Sequence, residues 1–126
     1  METLIIYTKA NLIDRLNSVL SNKKGWSLRR DNELSIFDNN GKYAKLELIN
    51  PEEVFDDGVV QDKALSTHSI YALHYRNLEM VKLLIKCIDD HDAWINNDFE
   101  NKNYTYDEFI ERVNSDKDWD WRVMGQ

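Results

Sequence analysis

Apolar and polar positions along this chain repeat with two different periods, and the two kinds of segment are cleanly separated. Leu4-Ile5-Ile6-Tyr7 is an almost wholly apolar run of strand formers, as expected of a buried first strand. Between Lys9 and Ser21 the apolar residues Leu12, Ile13, Leu16, Val19 and Leu20 fall into a helical stripe, with Asp14, Arg15, Asn17 and Ser18 outside it. Lys23, Lys24 and Gly25 supply cations for the negative helix pole and a glycine stop.

The period then changes to two. Trp26 and Leu28, Leu34 and Ile36, and Leu46 and Leu48 alternate with polar neighbours, which predicts three strands each with one buried face. The segments Arg30 to Glu33 and Asp38 to Gly41 carry turn chemistry, so the three strands form an antiparallel meander that Pro51 closes. Residues 51–67 lack periodicity and read as a long surface loop containing Glu52, Glu53, Asp56 and Asp57. His68 to Tyr75 alternates again and predicts a further strand.

Asn77 is placed to cap a helix whose buried stripe is Leu78, Val81, Leu84, Ile85 and Ile88, with Glu79 in its first turn. Asp89-Asp90-His91-Asp92 ends that helix, and Ala93-Trp94-Ile95 predicts a short strand. Thr105 and Glu108 have the spacing of a capping box before a last helix with Tyr106, Phe109, Ile110 and Val113 on its apolar face. The predicted order is β-α-β-β-β-β-α-β-α. This is one α+β domain over residues 1–126, with two or three helices packed on a largely antiparallel sheet. Its expected core comprises Leu4, Ile6, Leu12, Leu16, Leu20, Leu46, Leu48, Leu73, Val81, Leu84, Ile88 and Phe109. Trp94 and Tyr106 are expected to join it, whereas Trp119 and Trp121 are expected outside it.

Composition narrows the function classes. With 126 residues, 42% hydrophobic and 31% charged, the chain is long enough for one core without covalent staples. A single cysteine, Cys87, leaves no intramolecular disulfide. The first residues lack the positive region of a signal peptide, and no apolar stretch reaches membrane-spanning length, so the expectation is a cytoplasmic protein without a membrane partner. A formal net charge of −7 makes nucleic acid a poor partner.

Candidate chemistry is thin. His68 and His74 share a face of one predicted strand but lie about 20 Å apart at strand rise, too far for one metal. His91 among Asp89, Asp90 and Asp92 is more simply the polar end of a helix, so no metal or other cofactor is expected. Calcium-loop registers through Gly41 or Gly58 would put Ile36 or Phe55 at ligand positions and fail. Cys87 sits among Leu84, Ile85 and Ile88 as a small buried thiol would. Neither a Gly-x-Ser-x-Gly elbow nor a phosphate-binding glycine loop is present, so no catalytic residue is assigned. A small hydrolase or metal-dependent enzyme built on one of the histidines and a carboxylate is the alternative, beside a regulatory binding module.

Charge placement is more informative than motif. Residues 1–47 carry 8 basic and 6 acidic side chains, and residues 48–126 carry 8 and 17. From Asp89 to Asp120 there are 11 acids against Lys102, Arg112 and Lys117, interleaved with aromatic residues. Acidic faces commonly serve solubility, but aromatic anchors ringed by charge are also how binding hot spots are built. The expected partner-binding residues are Asp92, Asp98, Glu100, Asp118, Trp119 and Asp120, with Glu52, Glu53, Asp56 and Asp57 as a second patch.

Ala93-Trp94-Ile95-Asn96-Asn97-Asp98-Phe99, the tyrosine-rich capped helix and the later tryptophan pair together resemble small immunity proteins of bacterial polymorphic-toxin and contact-dependent inhibition systems. The resemblance covers roughly Ser69 to Trp121 and rests on pattern, with an Asx-rich turn expected at Asn96 and Asn97 and Glu100 standing where a glycine would be more natural. It implies an acidic cytosolic α+β protein that binds and neutralises a cognate toxin domain, frequently a nuclease, and it implies no catalytic residues. A nuclease site must be basic to hold phosphate, so an acidic inhibitor can fill it as a polyanion mimic.

Overall fold

A computed structural model of the chain describes residues 2–20, 27–38, 40–49, 69–97 and 102–122. The elements are β1 (Glu2–Thr8), α1 (Leu12–Leu20), β2 (Ser27–Arg30), β3 (Glu33–Phe37), β4 (Tyr43–Leu48), β5 (Ser69–Tyr75), α2 (Leu78–Ile88), β6 (Trp94–Asn97), β7 (Lys102–Thr105) and α3 (Tyr106–Ser115). The seven strands form one sheet in the order β2-β3-β4-β5-β1-β6-β7, and every neighbouring pair is antiparallel. The α+β class and the antiparallel sheet agree with the sequence pattern. β7 is an addition to it: in Lys102-Asn103-Tyr104-Thr105 only Tyr104 is buried, so this edge strand shows no apolar alternation.

Strand parity sorts the core. Leu4 and Ile6 of β1, Leu34 and Ile36 of β3, Ala44 and Leu46 of β4, Tyr71, Leu73 and Tyr75 of β5 and Ile95 of β6 join one cluster with the helix stripes of α1, α2 and α3. The opposite parity of β1 and β5 gives a smaller cluster of Ile5, Tyr7, Ile70 and Ala72, against which Trp94 and Ile49 pack. β1 is therefore buried on both faces, as its unbroken apolar run requires.

Local signals start the helices. The Asn11 side chain accepts the N–H of Asp14 (3.1 Å) at α1, and Asn77 accepts that of Met80 (2.9 Å) at α2. Thr105 accepts the N–H of Glu108 (3.1 Å) at α3, the Thr arm of the capping box. Gly41 sits at φ 78 in the β3–β4 turn, a left-handed conformation that favours glycine.

Four expectations need correction. Leu48 shares the parity of Leu46 but is 37% exposed, being the last residue of its strand. Val19 is 43% exposed on α1, at the edge of the stripe. Leu28 is 51% exposed, because its register opposite Ser35 turns it away from the helix-covered face. Asn96 and Asn97 form no turn: they are buried in β6, paired with Ile5 and Leu4. The readings of Lys23 to Trp26, Pro51, the 51–67 loop and His68 lie outside the described residues.

Candidate protein-binding surface

The acidic residues after α2 are held by a hydrogen-bonded corner. Tyr106 is buried at the start of α3; its hydroxyl donates to the Ile85 carbonyl (2.8 Å) and accepts the Asp89 N–H (3.0 Å). The Tyr106 N–H in turn donates to the Ala93 carbonyl (2.9 Å). Arg15 reaches over from α1 to donate to the Ile88 carbonyl (2.6 Å), capping α2 from outside. Asp90 is spent on structure: its carboxylate accepts the Thr8 hydroxyl and the Asp92 N–H. Asp89 and Asp92 are left exposed. Asp89 thus stands as C-cap at the negative pole of α2, where acidic charge opposes the helix dipole, and Asp90 and Asp92 follow it in the chain.

α3 continues the acidic surface. His91 donates from Nδ1 to Asp107 (2.6 Å), which joins the 89–92 corner to the first turn of α3. That hydrogen bond, helped by the charge of Asp107, raises the His91 pKa above its ordinary 6.5. Glu108, Glu111 and Asp116 line one shallow groove of about 310 Å³ with Arg112 and Ser115. Asp118 is exposed in the turn beyond the helix. Asp92 and Asp118 consequently bracket α3, whose ten residues span about 15 Å, with Asp107, Glu108 and Glu111 between them.

Trp119, expected as an exposed anchor, is a correction: it is 1% exposed, and its neighbour Trp121 is 2% exposed. The turn after α3, closed by the Trp119 N–H on the Asp116 carbonyl (3.1 Å), brings both rings back under the helix. Trp119 and Trp121 each stand 5.0 Å from the Phe109 ring, and Tyr104 closes the cluster 5.7 Å from Trp119. Asn97 donates to the Trp121 carbonyl (2.5 Å), and the Trp121 indole N–H donates to the Tyr75 hydroxyl (2.6 Å). Burial pushes the Tyr75 hydroxyl pKa up to about 12. Arg112 lies over the outer side of Trp119, 4.7 Å from the ring centroid.

Asp120 is also less available than expected. Its carboxylate receives the Arg122 N–H, Nε and Nη2 at 2.8–2.9 Å, and this hydrogen bonding holds its pKa below the ordinary carboxylate value. Asp98, Glu100 and the patch Glu52, Glu53, Asp56 and Asp57 lie outside the described residues. Asp107, Glu108 and Glu111 were absent from the expected set. Their signal was present, because the apolar stripe Tyr106, Phe109 and Val113 puts all three on the outer face.

The histidines sit apart. On the sheet face away from the helices, Thr3 Oγ1 is 2.9 Å from His74 Nδ1, and His74 Nε2 is 3.4 Å from Glu47. Glu47 is shared with Lys45 (3.6 Å), which also reaches Glu33 (3.4 Å). Lys45 thereby relieves two glutamates that the register places directly opposite each other. Among the described residues no group of three His, Cys, Asp or Glu side chains is placed to hold a metal ion, and no helix is long and apolar enough to cross a membrane.

Comparison with known proteins gives no match to a family model, to a curated protein or to a solved structure.

Proposed function

We propose that this chain is an immunity protein that neutralises a cognate bacterial toxin domain, with a basic nuclease as the favoured class, by presenting the acidic surface along α3. The observation that supports this most is the exposed acid set Asp89, Asp92, Asp107, Glu108, Glu111 and Asp118 around α3, in which Asp89 stands as C-cap at the negative pole of α2. Local electrostatics disfavours an acid there, so its cost is more readily understood if a cationic partner offsets it. The acidic corner, Asp107, Glu108, Glu111 and Asp118 are backed by aromatic packing, which fixes their spacing before a partner arrives and reduces the ordering cost of binding. Complementary potentials would speed encounter, and no chemistry is required of the inhibitor.

The test is to sequence the genes flanking this one for a toxin, then to co-express the chain with that toxin domain and follow binding kinetics on the purified pair. Protection of the cells and a complex whose association rate falls with salt support the reading. Full toxicity in the presence of well-folded chain overturns it.

One contact supports a second reading. Thr3, His74 and Glu47 are connected in the order hydroxyl, imidazole, carboxylate, the connectivity of a nucleophile with its base. Hydrolysis of small ester substrates that disappears in both Thr3→Val and His74→Gln would favour that enzyme over the binding protein.

A further inference from the structure

α1 and α2 do not close completely against each other. Between them, below the β3–β4 turn, lies a groove of about 290 Å³ with Leu20, Met80 and Leu84 lining it and Cys87 beside them. Val19 and Leu83 line it too, 43% and 61% exposed. Four charged residues complete the lining, and they are not equivalent. Asp38 is turned to its own turn, accepting the N–H groups of Asn40 (2.9 Å) and Lys42 (2.7 Å). Glu79 faces the Lys82 ammonium at 3.9 Å. The ammonium groups of Lys42 and Lys86 have no hydrogen-bond or ion-pair partner among the described residues.

An apolar groove with a few polar groups at its edge is the form of a small-molecule site. Its volume corresponds to roughly ten non-hydrogen atoms, taking about 30 Å³ as one water's share of the liquid. An entire docked helix would need a longer trough than this. We infer that the groove between α1 and α2 binds a medium-chain carboxylate, its tail against Leu20, Met80 and Leu84 and its head on Lys42 and Lys86. Charge complementarity favours the anion at the lysine side: Asp38 is turned to its own backbone and Glu79 to Lys82, whereas neither ammonium has a partner among the described residues. The groove shares Glu79, Leu83 and Lys86 with a hollow that reaches Val113 and Lys117, but none of the acidic residues assigned to the α3 surface lines it, and the proposal does not depend on the partner reading.

Octanoate, with ten non-hydrogen atoms, is the probe, and octanol is its uncharged counterpart. Methyl resonances of Val19, Met80 and Leu83 should shift saturably with octanoate in the millimolar range or tighter. Alkylation of Cys87, the chain's sole cysteine, by iodoacetamide should slow in parallel. The double variant Lys42→Gln/Lys86→Gln should weaken octanoate about tenfold, the scale of a lost charge-assisted hydrogen bond, and leave octanol unchanged. Val19→Trp, a change at an exposed position, should fill the mouth and abolish binding of both while circular dichroism stays that of the parent. No saturable shift by 10 mM octanoate, where ~10 mM bounds an affinity of use for so small a ligand, overturns the proposal. So does octanol binding as tightly as octanoate to the parent protein, or octanoate binding that survives the double lysine variant.

Discussion

The two wings of the sheet close the same face by different means. On the β2–β3–β4 side the closure is aliphatic: Leu34, Ile36, Ala44 and Leu46 belong to one cluster with the leucines and isoleucines of α1 and α2. On the β6–β7 side it is aromatic and polar: Tyr104, Phe109, Trp119 and Trp121 interlock, and Asn97 and Tyr75 fasten the tryptophan segment by hydrogen bonds. The first wing leaves a groove between its helices, whereas the second packs large rings behind an acidic surface. Aliphatic packing holds helices without fixing every contact. Rings and directed hydrogen bonds hold one arrangement, which suits a surface whose charges must keep their spacing.

The strongest way to break that contrast is Trp121→Ala. It removes a buried ring and leaves the Tyr75 hydroxyl without its donor, and should cost about 3–5 kcal/mol in urea unfolding. Leu84→Ala, at a 4%-exposed position beside an existing groove, should cost about 2–3 kcal/mol, the lower part of the range for such truncations. A loss equal to that of Trp121→Ala would show that the two wings do not differ in tightness.

Asn97→Ala sharpens the comparison by sparing the rings. It strands the Trp121 carbonyl and should destabilise the fold by about 1–3 kcal/mol, with the tryptophan near-ultraviolet dichroism reduced. Asp118→Lys, on the exposed side of the same wing, should change stability by less than about 0.5 kcal/mol while slowing association with a basic partner at low salt.

The smallest effect is electrostatic. His91 is fully exposed, and its hydrogen bond to Asp107 raises its pKa, so the imidazolium is favoured in the folded state. Its contribution to stability is complete below the unfolded value and fades as pH rises through the folded one. An NMR titration should place the His91 midpoint above 6.5, and Asp107→Asn should return it towards 6.5.

Periodicity made the framework legible. The stripes of Leu12 and Leu16, and of Val81, Leu84 and Ile88, lie buried as their spacing implies, and of the residues expected in the core only Leu48 is exposed and Trp94 half-buried. Register was not legible. Leu28 alternates as well as Leu34 does, but its partner Ser35 places it on the other face. The tryptophan pair reads as exterior in sequence because its flanking aspartates look like surface. In the structure Asp118 and Asp120 face outward or towards Arg122 while the rings turn in, an alternation too short to stand out as a period. Asn96 and Asn97 carry turn chemistry in sequence, yet side-chain hydrogen bonds to Asn103 and to the Trp121 carbonyl make them affordable inside a strand.

The position of β1 has a consequence for how the molecule is made. Its neighbours, β5 and β6, come from residues 69–75 and 94–97, and the Thr3–His74 contact spans 71 positions of sequence. During synthesis at about 5–20 residues per second, Leu4-Ile5-Ile6-Tyr7 waits several seconds for its first hydrogen-bonding strand. A strand that is buried on both faces is thus made before the other strands of the sheet and pairs only after β5 and β6 follow. It combines the long-range contacts that slow folding with an unpaired edge open to other chains, so the nascent protein is most prone to aggregate through β1 until β5 and β6 arrive.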